Sequence, residues 1–259
     1  MTNYSSHGVL SPCFEEAALF LEALAGKDAS FTFQTFDDVK DRKEKSLARI
    51  FHGTFNQHKQ VLKALNAQGA GVYVTVNQTD LKGRSLANIV KVRALFVDLD
   101  GSPIQPILDL PEDLQPHIII ESSPNRWHAY WLVNNCELDQ FKPLQQALAA
   151  LFDGDKQVCD LPRVMRLAGF SHNKQEPFIT RIVELQEHNL TPFSVNKLIV
   201  GLGFNEQQKQ STRNKSNNTY NSNDDDFTIG LPPTTDLMAD LKSALEYLSC
   251  EDYHDWIRQ

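Results

Sequence analysis

Arg93-Ala94-Leu95-Phe96-Val97-Asp98-Leu99-Asp100-Gly101 is the stretch that decides the reading of this chain. An apolar run leads into an Asp-x-Asp and is stopped by glycine, which reads as a buried strand ending in two carboxylates. Residues two apart in a strand point to the same face, roughly 7 Å apart along the chain. Asp98 and Asp100 therefore project together, and Leu99 points the other way with Leu95 and Val97. Paired carboxylates at the end of a buried strand repel, and leaving them uncompensated costs on the order of several kcal/mol. A divalent cation removes that cost, and an oxygen-only ligand set favours a hard ion, Mg2+ or Mn2+. The plain alternative is a strand end with two solvated aspartates.

Two downstream segments extend the pattern. His128 lies in Glu121-Ser122-Ser123-Pro124-Asn125-Arg126-Trp127-His128-Ala129-Tyr130-Trp131. Asp160 opens Asp160-Leu161-Pro162-Arg163-Val164-Met165-Arg166-Leu167-Ala168-Gly169-Phe170-Ser171-His172-Asn173-Lys174. In order, the chain carries a carboxylate pair, a histidine on a strand, and a third carboxylate followed by a basic cluster. This order resembles the archaeo-eukaryotic primase superfamily, within it the RepB-type primase-polymerases of plasmids, phages and integrated elements, over residues 30–185. The resemblance implies that Asp98, Asp100 and Asp160 hold two Mg2+ or Mn2+ ions and that His128 contacts the phosphates of the incoming nucleotide. It implies primer synthesis or strand extension from NTPs or dNTPs on single-stranded DNA during replication of a mobile element, with a helicase domain or protein as partner. The fold it implies is α+β: an RRM-like mixed sheet flanked by helices, completed by an N-terminal α/β portion.

By their chemistry, Arg166 and Lys174 are the next phosphate ligands, Arg166 as a planar fork and Lys174 as a point charge. Asn173 either orients Lys174 or touches the sugar. Each assignment has a bland counterpart. A histidine opening a strand is commonly a partly buried polar residue, and Asp160 beside Leu161-Pro162 also suits a turn or helix cap. Trp127 and Trp131 read as packing residues, and His117 and His172 have no evident partner. The chain departs from the family where many relatives carry a small hydroxyl residue two positions before the histidine, here Arg126. It departs again at Ala168, where many have proline.

Composition bounds these readings. The 259 residues are 41% hydrophobic, enough for one sizeable core and an appendage. Cys13, Cys136, Cys159 and Cys250 are scattered without a Cys-x-x-Cys, which argues against zinc and against a disulfide framework and fits a reducing cytoplasm. There is no signal-peptide pattern and no apolar run near the ~20 residues of a membrane span. A net charge of −8 counts against avid binding to naked DNA and confines any nucleic-acid surface to local basic clusters.

Along the chain, helices are expected over 12–26, 56–68, 138–152 and, capped by Thr191, 192–200. Strands are expected over 31–36, 71–76, 88–100 and 178–185, and 117–121 with 128–133 form a hairpin. Residues 1–203 read as the catalytic domain. Residues 204–234, rich in Asn, Ser, Lys and Asp, read as a flexible linker, with Asp224-Asp225-Asp226 a solvated patch. Residues 235–259 turn helical again, resemble the start of a module C-terminal to such primases, and stop abruptly, as a truncated chain would. No Gly-x-x-x-x-Gly-Lys-Ser/Thr loop occurs, so no ATPase motor is expected.

Two rivals use the same residues. Asp98-Leu99-Asp100-Gly101 also resembles the first motif of haloacid-dehalogenase-type phosphatases, with Asp98 as nucleophile and Asp100 as general acid. About 90 residues precede it, and Pro103 and Pro106 follow where a helix should. A non-enzymatic replication-initiation module that binds DNA leaves the aspartates unexplained. A rolling-circle relaxase lacks its His-x-His.

Overall fold

The computed structural model describes residues 10–186 and 189–204. The expected linker past residue 204 and the helical segment 235–259 lie outside the described residues. In chain order the elements are α1 (Phe14–Ala25), β1 (Ser30–Asp37), β2 (Arg49–Thr54), α2 (Phe55–Ala67), β3 (Ala70–Thr75), β4 (Gln78–Thr79), β5 (Ile89–Lys91), β6 (Ala94–Leu99) and α3 (Gln105–Leu108). Then come β7 (Ile118–Ser123), β8 (Arg126–Asn134), α4 (Leu138–Leu151), β9 (Val164–Arg166), β10 (Ser171–His172), β11 (Phe178–Ile179), β12 (Arg181–Leu185), β13 (Phe193–Ser194) and α5 (Val195–Gly201). Among them no helix is long and apolar enough to cross a membrane.

Two sheets organise the domain. The N-terminal sheet runs β2-β1-β3-β9 and is antiparallel throughout. Its inner face carries Phe31, Phe33, Val72, Val74 and Met165, all buried. Phe33 and Phe14 both meet Phe55 at the start of α2, and Phe14 also meets Phe170. The opposite face is polar. Gln34, Tyr73 and Arg166 stand in one cross-strand row, and partners directly opposite share a face.

The second sheet is mixed. β12, β7, β8 and β6 are antiparallel, and β13 joins the end of β8 in parallel. The β7–β8 hairpin turns at Pro124-Asn125. Asn125 takes a left-handed φ of 61° there, and its N–H donates to the Glu121 carboxylate at 3.1 Å. One face receives α1 through Phe20 against Tyr130. On the other, Trp131 stacks on Phe152 and donates its indole N–H to the Leu114 carbonyl. Strand β6 has an open edge, and Gln145 of α4 closes it. Its amide accepts from Phe96 N–H and donates to Phe96 C=O, both at 2.9 Å, imitating a neighbouring strand.

This topology rules out the phosphatase alternative. That fold needs a parallel sheet with helical crossovers, and β6 is antiparallel to β8. Local expectations also shift. The segment 178–185 divides into β11 and β12 at Thr180, whose N–H and C=O go to Phe170 and Gly169. The last helix starts later and is capped by Ser194, whose Oγ accepts from Lys197 N–H, and not by Thr191. Only one helical turn fits around Pro106. His117 proves structural: Nδ1 accepts from Leu132 N–H and Nε2 donates to the Thr191 carbonyl, each at 3.0 Å.

Gly169 ties the two sheets to the start of α1. Its N–H donates to Thr180 C=O, its carbonyl accepts from Cys13 N–H, and its φ is +80°. A Cβ there would lie 2.1 Å from the Cys13 backbone oxygen, whereas at Gly26, with φ +87°, it would meet open space. Gly26→Ala should therefore cost about 1 kcal/mol of unfolding free energy from backbone strain alone, and Gly169→Ala at least about 2 kcal/mol. Urea denaturation of the two variants checks the order.

Candidate active site

The antiparallel register sets Asp98 of β6 directly opposite His128 of β8. His128 Nε2 is 3.6 Å from the Asp98 carboxylate, and Nδ1 lies 3.2 Å from the Tyr130 hydroxyl. The imidazole is 4% exposed and the Asp98 side chain 25%, so the pair spans the boundary between core and solvent. Burial pushes the His128 pKa down, against the pull of the Asp98 charge, so the ring is neutral at pH 7. Asp100, one residue past β6, meets the Arg126 guanidinium at 2.6 Å. Arg126 stands where many relatives of the resembled family carry a small hydroxyl residue, and here it brings a cation to the second carboxylate. Both groups are about half exposed, and such a pair contributes ~0–1 kcal/mol.

Asp160 arrives by the loop after α4. Asp155 N–H donates to the Asp98 carbonyl at 2.8 Å, and the Val158 carbonyl accepts from Gln145. Gly154 admits the loop this close, because a Cβ would sit 2.3 Å from Val97 Cγ2. The next turn is fastened to the end of β3: Asn77 donates to Leu161 C=O, and Val76 N–H to Arg163 C=O. Asp160 itself holds the Arg163 guanidinium, with Nε donating at 2.6 Å. The structure thus joins Asp98, His128 and, through Arg126, Asp100. It does not gather Asp160 with them: among the described residues no three His, Cys, Asp or Glu side chains form a metal-binding group. Asp98 and Asp100 on one strand end offer the oxygen donors that suit a hard divalent ion.

The basic segment behaves differently from its sequence reading. Arg166 is buried and grips Asp38, Nη1 at 2.7 Å and Nη2 at 3.0 Å, with its guanidinium 4.8 Å from the Tyr73 ring centre. Its charge reaches both His128 and Asp98. The side-chain amide of Asn173 faces the backbone carbonyls of Asn66, Ala70 and Ser171, and its N–H donates to Asp38. Lys174 lies close enough to His172 for its charge to act there. Sequence reasoning missed Asp38 and Tyr73 altogether, because a single aspartate after a strand carries no motif. It also left His172 unexplained. His172 Nδ1 donates to the Ser122 carbonyl at 3.2 Å, whereas Nε2 is buried without a hydrogen-bond partner.

Burial and the adjacent Arg166 hold the His172 pKa down at about 4. The unfolded chain takes up this proton near pH 6.5, and the folded chain refuses it until about pH 4. Its contribution to stability is therefore complete above pH 6.5 and is lost as pH falls toward 4. Burial depresses His52, His117 and His128 as well and acts in the same sense. The melting temperature should drop on going from pH 7 to pH 5, and His172→Gln should drop less over the same interval. Thermal melts across that range measure the difference.

The sequence and the fold both have known relatives. The model of the RepB DNA-primase N-terminal domain matches residues 49–194, more than half of the chain. A "Replication protein" of Clostridium perfringens is 25% identical over 142 residues, 48% of this chain and 35% of that protein, so the chain spans about a third of that relative's length. Among solved structures, the AEP domain of the cyanophage S-2L primase-polymerase superposes with a TM-score of 0.59 at 20% identity, covering 74% of this chain and 100% of that one. Primase RepB′ superposes at 0.56 with 19% identity, covering 78% and 66%. The catalytic domain of RepB′ in complex with initiator DNA superposes at 0.53 with 19% identity, covering 78% and 97%. At these identities the structures establish a shared fold, and the family match establishes kinship. The chain belongs to the RepB-type primase family.

Proposed function

We propose that this domain is a DNA-dependent primase-polymerase that joins NTPs or dNTPs on single-stranded DNA and releases pyrophosphate, in replication of a mobile element. The observation that carries the reading is the cross-strand pairing of Asp98 with a buried, neutral His128, in a chain of a primase family. Asp98 and Asp100 are the residues that would hold Mg2+ or Mn2+, with Asp160 as the third carboxylate. When bound, such ions lower the pKa of an attacking hydroxyl and stabilise a leaving pyrophosphate.

The protein's own groups do the rest. With the Tyr130 O–H as donor to His128 Nδ1, the ring proton sits on Nε2, the nitrogen that faces Asp98. That N–H is fixed by the ladder and the core, so it can donate to a phosphate oxygen without reorganising. Lys174 supplies a mobile positive charge to the same anion. A DNA substrate is supported by RepB′, a structural neighbour solved with initiator DNA. A replicative helicase is the partner this activity calls for.

Incorporation of labelled NTPs and dNTPs on single-stranded DNA, with and without a primer and in Mg2+ or Mn2+, tests the reading. Wild type should form product, and Asp98→Ala should lower the rate at least about 100-fold, since losing even an outer-shell group at a metal site costs about 10–100-fold. Asp160→Ala should fall comparably. No product from wild type in any condition would overturn the polymerase and leave a DNA-binding initiation module.

A further inference from the structure

Asp38 lies outside the residues that match the primase family and carries no motif. It is nonetheless 3% exposed, at the end of β1, with its backbone N–H donating to Gly69 C=O. Four donors converge on its two oxygens: Arg166 Nη1 at 2.7 Å, Arg166 Nη2 at 3.0 Å, Tyr73 O–H at 3.0 Å and Asn173 N–H at 3.1 Å. Only an ionised carboxylate can accept all four, because an amide offers a single acceptor oxygen. Burial alone would raise the Asp38 pKa, but the Arg166 hydrogen bonds and charge outweigh it and keep the group ionised. The backbone makes room for this carboxylate: at Gly71 a Cβ would lie 2.7 Å from Asp38 Oδ2.

The consequence falls on Arg166. Asp38 takes one N–H from each of its terminal nitrogens, and Tyr73 packs against its plane. A guanidinium has five N–H groups; Asp38 takes two, and the Tyr73 hydroxyl is within hydrogen-bonding reach of the same cation. The N–H groups left over are therefore held in a fixed orientation on a cation whose charge is felt by Asp98 and His128. An arginine locked this way loses little rotamer freedom when an anion binds, whereas a free one must be ordered first.

We propose that Asp38 is a positioning residue for nucleotide binding: with Tyr73 it fixes the Arg166 guanidinium beside the Asp98–His128 pair, where Arg166 receives the triphosphate. This rests on the polymerase reading and adds to it a residue from outside the matched domain. The alternative is an ion pair that merely fastens the loop after β1 to β9.

Binding of a fluorescent dNTP in Ca2+, followed by anisotropy on the full chain, separates the two, with KM and kcat as a second readout. Asp38→Asn and Arg166→Lys should each weaken nucleotide binding 10-fold or more and raise KM more than they lower kcat. The double variant should be no worse than either single one, because the two residues act as a unit. Single-stranded DNA affinity should stay within 2-fold. Tyr73→Phe, which keeps the ion pair and removes one donor, should weaken binding about 3-fold and serves if Asp38→Asn does not fold. Wild-type nucleotide affinity in folded Asp38→Asn, or in Tyr73→Phe, would overturn the positioning role and leave the polymerase reading intact. A wild type that binds no nucleotide would overturn both.

Discussion

The antiparallel ladder between β6 and β8 is the constraint on which the rest of the site depends. Side chains in a strand alternate, so one residue of slippage would send Asp98 into the core and Leu99 to the cleft. The register is fixed from both sides. Val97, Leu95 and Leu99 are buried on one face, and Gln145 locks onto the Phe96 amide and carbonyl at the open edge. Few arrangements satisfy all of these at once, and the one adopted sets Asp98 against His128.

Charge is distributed around that pair in a consistent way. Four aspartates each have a cation or an imidazole beside them: Asp98 with His128, Asp100 with Arg126, Asp160 with Arg163, Asp38 with Arg166. The exposed pairs are weak and exchangeable, because water screens them. The Asp38–Arg166 pair is buried, and breaking a buried pair from one side is far more costly than never having built it. The domain therefore combines one buried ionic anchor with carboxylates held more loosely at the surface. A net charge of −8 is compatible with the proposed anion site because what matters there is the local field around Arg166 and Lys174.

Much of this was legible in the amino-acid sequence. The Asp-x-Asp strand, the 117–133 hairpin and the helices α1, α2 and α4 announce themselves through periodicity and turn residues, and all are present. The α+β class and the primase family followed from the order of Asp98, His128 and Asp160. What escaped has a common cause. Strands β9, β10, β11 and β13 are two or three residues long, too short for a period to register. Asp38 and Arg166 are 128 residues apart and meet only because β1 and β9 flank β3. Asn173 looked like a nucleotide ligand because it adjoins Lys174, yet its side chain serves the backbone of the N-terminal sheet. Proximity in sequence is a poor guide to direction in space where the chain turns every few residues.

The Asp98–His128 pair is proposed as the place where metal and nucleotide meet. A crystal structure of this chain with Mn2+ and a non-hydrolysable dNTP tests it most directly. Anomalous Mn2+ density is expected against the Asp98 carboxylate, with a triphosphate oxygen within hydrogen-bond distance of His128 Nε2. Mn2+ bound elsewhere, or a nucleotide seated away from β6 and β8, would contradict it.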